Sequence, residues 1–187
     1  MHAPRIPVTY YVAASLDGFI ATTDGGLDWL RIYENEQEDY GYRELLSRID
    51  CLVMGHRTYR HCLSMSPASW PYGGYSCRVL TSWLPNENFN LPDSVTFTDQ
   101  SPDDLLATLS SQGHHHCWLV GGGETAGAFL RAGLIDEIVL TLVPVALGRG
   151  IPLFGNMPAL PTTGFNLKNT KSYPAGLVQM HYEKGRD

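Results

Sequence analysis

Positive charge is scarce in this chain. Lysine and arginine number 13 against 19 aspartates and glutamates, the formal net charge is −6, and no two basic residues are adjacent, so the basic patch of a nucleic-acid or anionic-membrane binder is missing. Long apolar runs are missing too. No stretch approaches the ~20 apolar residues of a membrane-spanning helix. Residues Met1 to Pro7 show no basic start leading into an apolar core, and Asp17 interrupts the candidate run from Val8 to Ile20, which points to a cytoplasmic protein. Cysteine is limited to Cys51, Cys62, Cys77 and Cys117, without a Cys-x-x-Cys pair; buried free thiols in a reducing compartment are expected rather than a disulfide framework. Internal repeats and low-complexity linkers are absent, and 187 residues suffice for one well-buried domain, 1–187.

What is present is organised around Cys117 to Leu134. A short apolar run, Cys117-Trp118-Leu119-Val120, ends in Gly121, Gly122 and Gly123, after which Ala126, Phe129, Leu130 and Leu134 fall at helical spacing. This predicts a strand, a tight turn and a helix. The first N–H groups of such a helix have no partner within it, the dipole adds partial positive charge, and glycine allows close approach, so the turn suits a phosphate. A second turn of this kind follows Cys51-Leu52-Val53-Met54, where Gly55 precedes His56-Arg57-Thr58; Thr58 can satisfy free N–H groups and Arg57 carries a fork-shaped cation. A third apolar run, Cys77 to Leu80, leads into Thr81 and Ser82, hydroxyls that can hold an adenosine phosphate or simply cap the following turn.

Around these turns, Val8 to Ala14 predicts a central strand buried on both faces of a largely parallel sheet. Helix is expected from Asp28 through Tyr33 and from Tyr42 to Ile49, and again after Ser101-Pro102-Asp103-Asp104, a capped start. Val95 to Thr98 and the long run Ile138 to Val145 predict strands, with Pro144 marking an edge or a strand end. Residues 64–74 and 147–155 are expected to be loops, and Phe165–Tyr173 with Leu177–Glu183 a C-terminal antiparallel hairpin. His114, His115 and His116 are adjacent; neighbours on a strand point to opposite sides, and no acid or cysteine stands at helical ligand spacing, so no metal site is expected. The three glycine- or hydroxyl-bearing turns fall on one edge of a parallel sheet, where open α/β folds bind nucleotides. The Gly-x-Gly-x-x-Gly fingerprint of an ordinary Rossmann domain is absent.

Taken in order, Ala13-Ala14-Ser15-Leu16-Asp17-Gly18-Phe19-Ile20-Ala21, Gly25-Gly26-Leu27-Asp28-Trp29-Leu30, Val53-Met54-Gly55-His56-Arg57-Thr58-Tyr59, Val120 to Glu124, and Asp136-Glu137 with Pro144 and Leu147 to Phe154 resemble, over nearly the whole chain, the dihydrofolate-reductase-like family that includes the C-terminal reductase domain of the riboflavin-biosynthesis deaminase/reductase. The resemblance implies a single-domain α/β fold, a mixed and mainly parallel sheet flanked by helices, with NADPH across the strand ends and a homodimer. By motif position it implies that Ala14 and Ile20 meet the nicotinamide. Gly55, His56, Arg57 and Thr58 then take the pyrophosphate and adenosine side, Thr81 and Ser82 the 2′-phosphate with Arg57 as its charged partner, and Val120, Gly121, Gly122, Gly123, Glu124 and Thr125 the pyrophosphate. It also implies a cis peptide between Gly121 and Gly122. Folate-type chemistry asks for one buried acid to help protonate the substrate; Asp28 and Glu34 are the candidates carried forward, with Glu36 and Asp39 nearby, while Asp17 is expected to serve the turn. Trp29, Tyr33, Trp70 and Phe154 are candidates for the substrate pocket. Phe19 stands where the riboflavin branch carries a lysine, and the His-x-Glu and Cys-x-x-Cys signature of the deaminase half is not present. The implied activity is NADPH-dependent reduction of a small heterocyclic or carbonyl substrate, pteridine-, flavin-precursor- or folate-like. The alternatives are a non-catalytic nucleotide-binding or regulatory protein on the same fold, and a true dihydrofolate reductase.

Overall fold

A computed structural model describes residues 5–34, 37–65, 70–82, 92–156, 159 and 161–185; Glu36 and the middle of the 64–74 loop lie outside them. The chain opens with β1 (Val8–Ser15) and the short β2 (Phe19–Ala21), joined by a turn at Gly18. One helical turn, α1 (Asp28–Arg31), and α2 (Tyr42–Arg48) follow, then β3 (Cys51–Gly55) runs directly into α3 (His56–Met65). Next come β4 (Ser76–Leu80), β5 (Val95–Thr98) and α4 (Pro102–Ser111). Then β6 (Cys117–Gly121) leads into α5 (Gly123–Arg131), and β7 (Glu137–Val143), β8 (Ile151–Pro152), β9 (Phe165–Ser172) and β10 (Val178–Lys184) complete the fold.

Eight strands form one sheet in the order β5-β4-β3-β6-β1-β7-β10-β9. The first six are mutually parallel; β10 runs antiparallel to β7, and β9 antiparallel to β10. The architecture is the mixed, mainly parallel sheet expected. Because β1 and β3 carry near-continuous apolar runs, both faces of the sheet must be covered. On one face Leu105, Leu106 and Leu109 of α4 and Ala126, Phe129 and Leu130 of α5 pack against Val8, Tyr10, Val53 and Leu119. On the other, Leu45, Ile49, Tyr59 and Cys62 pack against Leu52, Met54, Val79 and Trp118. All four cysteines are free and buried. The start of α4 behaves as its sequence requires: Ser101 accepts from Asp104 N–H at 3.2 Å, with Pro102 next, a cap worth about 1 kcal/mol.

Three expectations are corrected. Helix after Asp28 stops at Arg31, short of Tyr33. The 147–155 segment is not simply loop, since Ile151–Pro152 pairs antiparallel with Phe19–Ala21 as a two-stranded sheet; two residues including a proline leave no strand pattern to detect. Pro144 marks a strand end and not an edge, because β7 lies between β1 and β10 and its ladder closes with Ser15↔Val143.

Asp17 ties this region together. Its carboxylate accepts from Ser15 Oγ at 2.6 Å, Leu147 N–H at 3.1 Å and Gly148 N–H at 2.6 Å. The Ser15 hydroxyl first, then the two backbone donors, hold its pKa down at about 2. A carboxylate depressed in the folded state contributes stability above its unfolded pKa and loses that contribution as pH falls through the folded value. Asp17→Asn is therefore expected to lower stability at neutral pH and to flatten the stability profile between roughly pH 4 and pH 2. Urea midpoints measured across that window check it; a profile identical to the parent's would remove Asp17 from the acid response.

Candidate functional site

The register of the sheet brings the C-terminal ends of β4, β3 and β6 side by side, since Leu80 pairs with Gly55 and Gly121 with Met54. The turns that follow therefore share one rim. A Cβ placed on Gly55 would lie 2.6 Å from Thr125 Oγ1, and one on Gly122 would lie 3.3 Å from Thr58 Oγ1. Arg57 reaches across to Glu124 at 3.8 Å, both side chains largely exposed. Thr81 continues β4 and donates its N–H to Thr98 O at 3.0 Å, and exposed Ser82 follows it. The Gly121–Gly122 peptide is cis. Gly122 is the N-cap of α5 and offers no side chain to cap it, so the first N–H groups of this nine-residue helix face the rim without a cap from that residue.

Beneath the rim, the segment from Gly150 to Gly155 presses on the start of α5. A Cβ on Gly123 would come within 2.2 Å of Pro152 O and 2.8 Å of Gly155 N, and one on Gly150 within 2.2 Å of Ala21 O. Tyr10, fully buried on β1, donates its hydroxyl to Leu153 O at 2.9 Å and packs its ring against Phe154. Burial pushes the Tyr10 phenol well above its ordinary range, which keeps it a neutral donor. Ala14 is buried near the end of β1, and Ile20 is half-buried on β2. The residues of all three turns are thus neighbours, with glycines where backbone must approach backbone. Free helix N–H groups beside an exposed arginine, Arg57, are an arrangement that can receive an anion.

The proposed acids are placed differently. Among the described residues no carboxylate is buried; the buried polar side chains are Thr9, Ser15 and Thr141. Asp28 is 86% exposed and pairs with Arg31 at 3.3 Å, and Glu34 is exposed. In the single turn of α1, Trp29 and Leu30 pack inward beside Tyr33 and Tyr173, which leaves Asp28 facing solvent. The four aromatic residues expected around substrate do not meet either. Trp29 and Tyr33 join one cluster, Trp70 packs on Tyr59 and Tyr72 in a second, and Phe154 belongs to a third on the opposite face.

Sequence patterns did not reveal a recess of about 130 Å³ between the start of α2 and the terminal hairpin, lined by Glu44, Lys171, Tyr173, Gln179 and His181. Tyr40, in the left-handed region at φ 55°, borders an adjoining recess of about 110 Å³. Its carbonyl accepts from Gln179 Nε2 at 2.7 Å and from Tyr11 Oη at 3.0 Å. The non-glycine left-handed residue and the half-buried glutamine have no motif of their own, because Tyr40 and Gln179 lie 139 residues apart. These recesses contain none of the residues of the three turns.

A family model for the RibD C-terminal domain matches residues 7–179. The chain is 36% identical over 172 residues to "Uncharacterized protein YwjB" of Bacillus subtilis, covering 92% of this chain and 94% of that one. Among solved structures, a "Putative riboflavin biosynthesis protein" from Shewanella sp. PV-4 superposes with a TM-score of 0.86 at 34% identity, over 97% of this chain and all of that one (100%). The diaminohydroxyphosphoribosylaminopyrimidine deaminase/5-amino-6-(5-phosphoribosylamino)uracil reductase of Thermotoga maritima shares the fold with a TM-score of 0.73 at 17% identity, over 97% of this chain and 57% of that one.

Proposed function

This chain belongs to the RibD C-terminal domain family, and we propose that it is an NADPH-dependent reductase of a small heterocyclic or carbonyl substrate, pteridine-, flavin-precursor- or folate-like. The observation that carries the proposal is the meeting of three sequence-distant turns, 55–58, 81–82 and 120–125, on one rim of the sheet. In this assignment Gly121, Gly122 and Gly123, with the N–H groups of Glu124 and Thr125, receive the pyrophosphate, and Val120 sets the turn's entry. Gly55, His56 and Thr58 hold the adenosine side, and Thr81, Ser82 and Arg57 the 2′-phosphate. Ala14 and Ile20 flank the nicotinamide. When bound, the dinucleotide supplies a hydride, and the chain's part is to fix its orientation and leave one face open to substrate. The proton comes from water or through the solvent-facing carboxylates of Asp28 or Glu34. The name of the Thermotoga protein supports a pyrimidine-type substrate and that of the Shewanella protein a flavin precursor, whereas Phe19 favours one without a sugar phosphate. The homodimer belongs to the same proposal.

A non-catalytic nucleotide binder is the second reading, favoured by the lack of a buried carboxylate among the described residues. Fluorescence titration with NADPH followed by turnover with dihydrofolate, pteridines and ribosylaminopyrimidines separates the two. Saturable binding with turnover is expected, and saturable binding without turnover on any of them would favour the second reading. Failure to bind NADPH at all would remove both. Asp28→Asn and Glu34→Gln, made separately, are expected to lower turnover on the active substrate by about 10²-fold at whichever position relays the proton; indifference to both assigns that proton to water.

A further inference from the structure

The histidine run before β6 has partners that its own surroundings in sequence do not provide. Asp50 and Cys51, at the entrance to β3, lie beside it because β3 and β6 are parallel neighbours with Cys51 paired to Cys117. One carboxylate oxygen of Asp50, the Cys51 Sγ and one ring nitrogen of His114 all lie within 4.8 Å of one another. His114 Nδ1 and Asp50 Oδ1 are 3.6 Å apart. We propose that Asp50, Cys51 and His114 form a binding site for a divalent transition ion of zinc's type, with water completing the coordination on the solvent side.

The donor set is selective. A thiolate with an imidazole and one carboxylate suits zinc, whereas calcium and magnesium prefer oxygen alone. Zinc bonds of about 2.0–2.3 Å place tetrahedral ligand atoms about 3.5 Å apart; the Asp50–His114 pair already has that spacing, and closing the remainder takes about 1 Å of side-chain movement. The carboxylate is oriented from behind, accepting from His115 N–H at 2.8 Å and His116 N–H at 3.2 Å, in the way outer-shell donors aim metal ligands. Each histidine has a distinct place. His116 is committed to Thr9, with Nε2 2.8 Å from Oγ1, His115 is exposed, and His114 alone faces Asp50. Cys51 is fully buried, and its thiol lies 3.6 Å from the His116 carbonyl, within reach of the Asp50 carboxylate and the Cys117 thiol. On binding, the ion forms one bond each to Cys51 Sγ, His114 Nδ1 and an Asp50 oxygen, and the thiol proton passes to solvent. No electrons are transferred. The site lies at the strand entrances, across the sheet from the rim of turns, so it would staple β3 to the segment leading into β6 and does not depend on the reductase assignment.

The test uses the full chain without a histidine tag, stripped with chelator. Titration with cobalt(II) is expected to give one ion per chain with a sulfur-to-cobalt charge-transfer band, displaced by zinc. Zinc alone is expected to raise Tm, because an ion bound only by the native state stabilises it. Cys51→Ser removes the charge-transfer band, and His114→Ala weakens cobalt binding at least about tenfold and abolishes the zinc-dependent rise in Tm, while His115→Ala leaves both unchanged. Absence of the band in the parent, its survival in Cys51→Ser, or equal loss in His115→Ala and His114→Ala would each overturn the site. His114 is partly exposed, so its variant keeps the test decisive even if Cys51→Ser folds poorly.

Discussion

Gly123→Ala is expected to unseat the 150–155 segment and abolish NADPH binding. The added Cβ would stand 2.2 Å from Pro152 O, 2.8 Å from Gly155 N and 3.3 Å from Gly155 Cα. All three are backbone atoms, so no rotamer change can relieve the clash. Either α5 retreats from the rim or the segment lifts off it. The second course breaks the Tyr10 hydroxyl's bond to Leu153 O and the packing of Phe154 on Tyr10. Overpacking of this kind costs about 1–3 kcal/mol, and a buried donor left unsatisfied costs about 1–3 kcal/mol more. Together these lower Tm by about 5–20 °C in a domain of this size. Thermal unfolding and NADPH titration check it, with Gly164→Ala as the comparison. Gly164 has open space around its Cβ position and no left-handed φ, so alanine there is expected to change stability by no more than about 0.5 kcal/mol. A Gly123→Ala protein as stable as Gly164→Ala would mean that the segment yields freely, and the rim would lose its claim to rigidity.

Arg57→Ala is expected to raise the KM for NADPH about 10- to 100-fold while changing that for NADH much less. A charge-assisted hydrogen bond contributes about 1.5–3 kcal/mol, and each 1.4 kcal/mol is about tenfold in affinity. Stability should barely move, because Arg57 is 87% exposed and its pair with Glu124, itself 74% exposed, belongs to a class worth about 0–1 kcal/mol. Glu124 competes with a phosphate for the same guanidinium, so Glu124→Gln is expected to shift NADPH the opposite way, lowering KM several-fold and losing that gain as salt is raised. Steady-state kinetics with both nucleotides decide it. Equal effects of Arg57→Ala on NADPH and NADH would move the 2′-phosphate away from this arginine and leave Thr81 and Ser82 as its remaining partners.

Much of the fold was legible before coordinates. Buried strands announce themselves as apolar runs, as in Val8–Ala14 and Cys51–Met54. The start of α4 is written in Ser101-Pro102-Asp103-Asp104, and the terminal hairpin in two β-prone runs around Pro174-Ala175-Gly176. These are local matters of backbone preference and side-chain period, decided within a few residues. The β2–β8 pair escaped because its two short strands lie some 130 residues apart and one holds a proline. Solvent exposure of Asp28 escaped as well, since a single helical turn can present either side, and only the packing of Trp29 and Leu30 against Tyr173 chose which.

The amino-acid order by itself settled where most strands, helices and glycine turns fall, and, through the succession of its motifs, which family the chain belongs to. Strand order alone decided which turns are neighbours. Gly55 lies against Thr125, Arg57 reaches Glu124, and His114 faces Asp50 because β6 inserts between β3 and β1. The physical reason is separation along the chain: conformational preferences act over a few bonds, whereas contacts between residues 64 to 70 positions apart exist only once long-range pairing of the parallel sheet has closed the intervening loops.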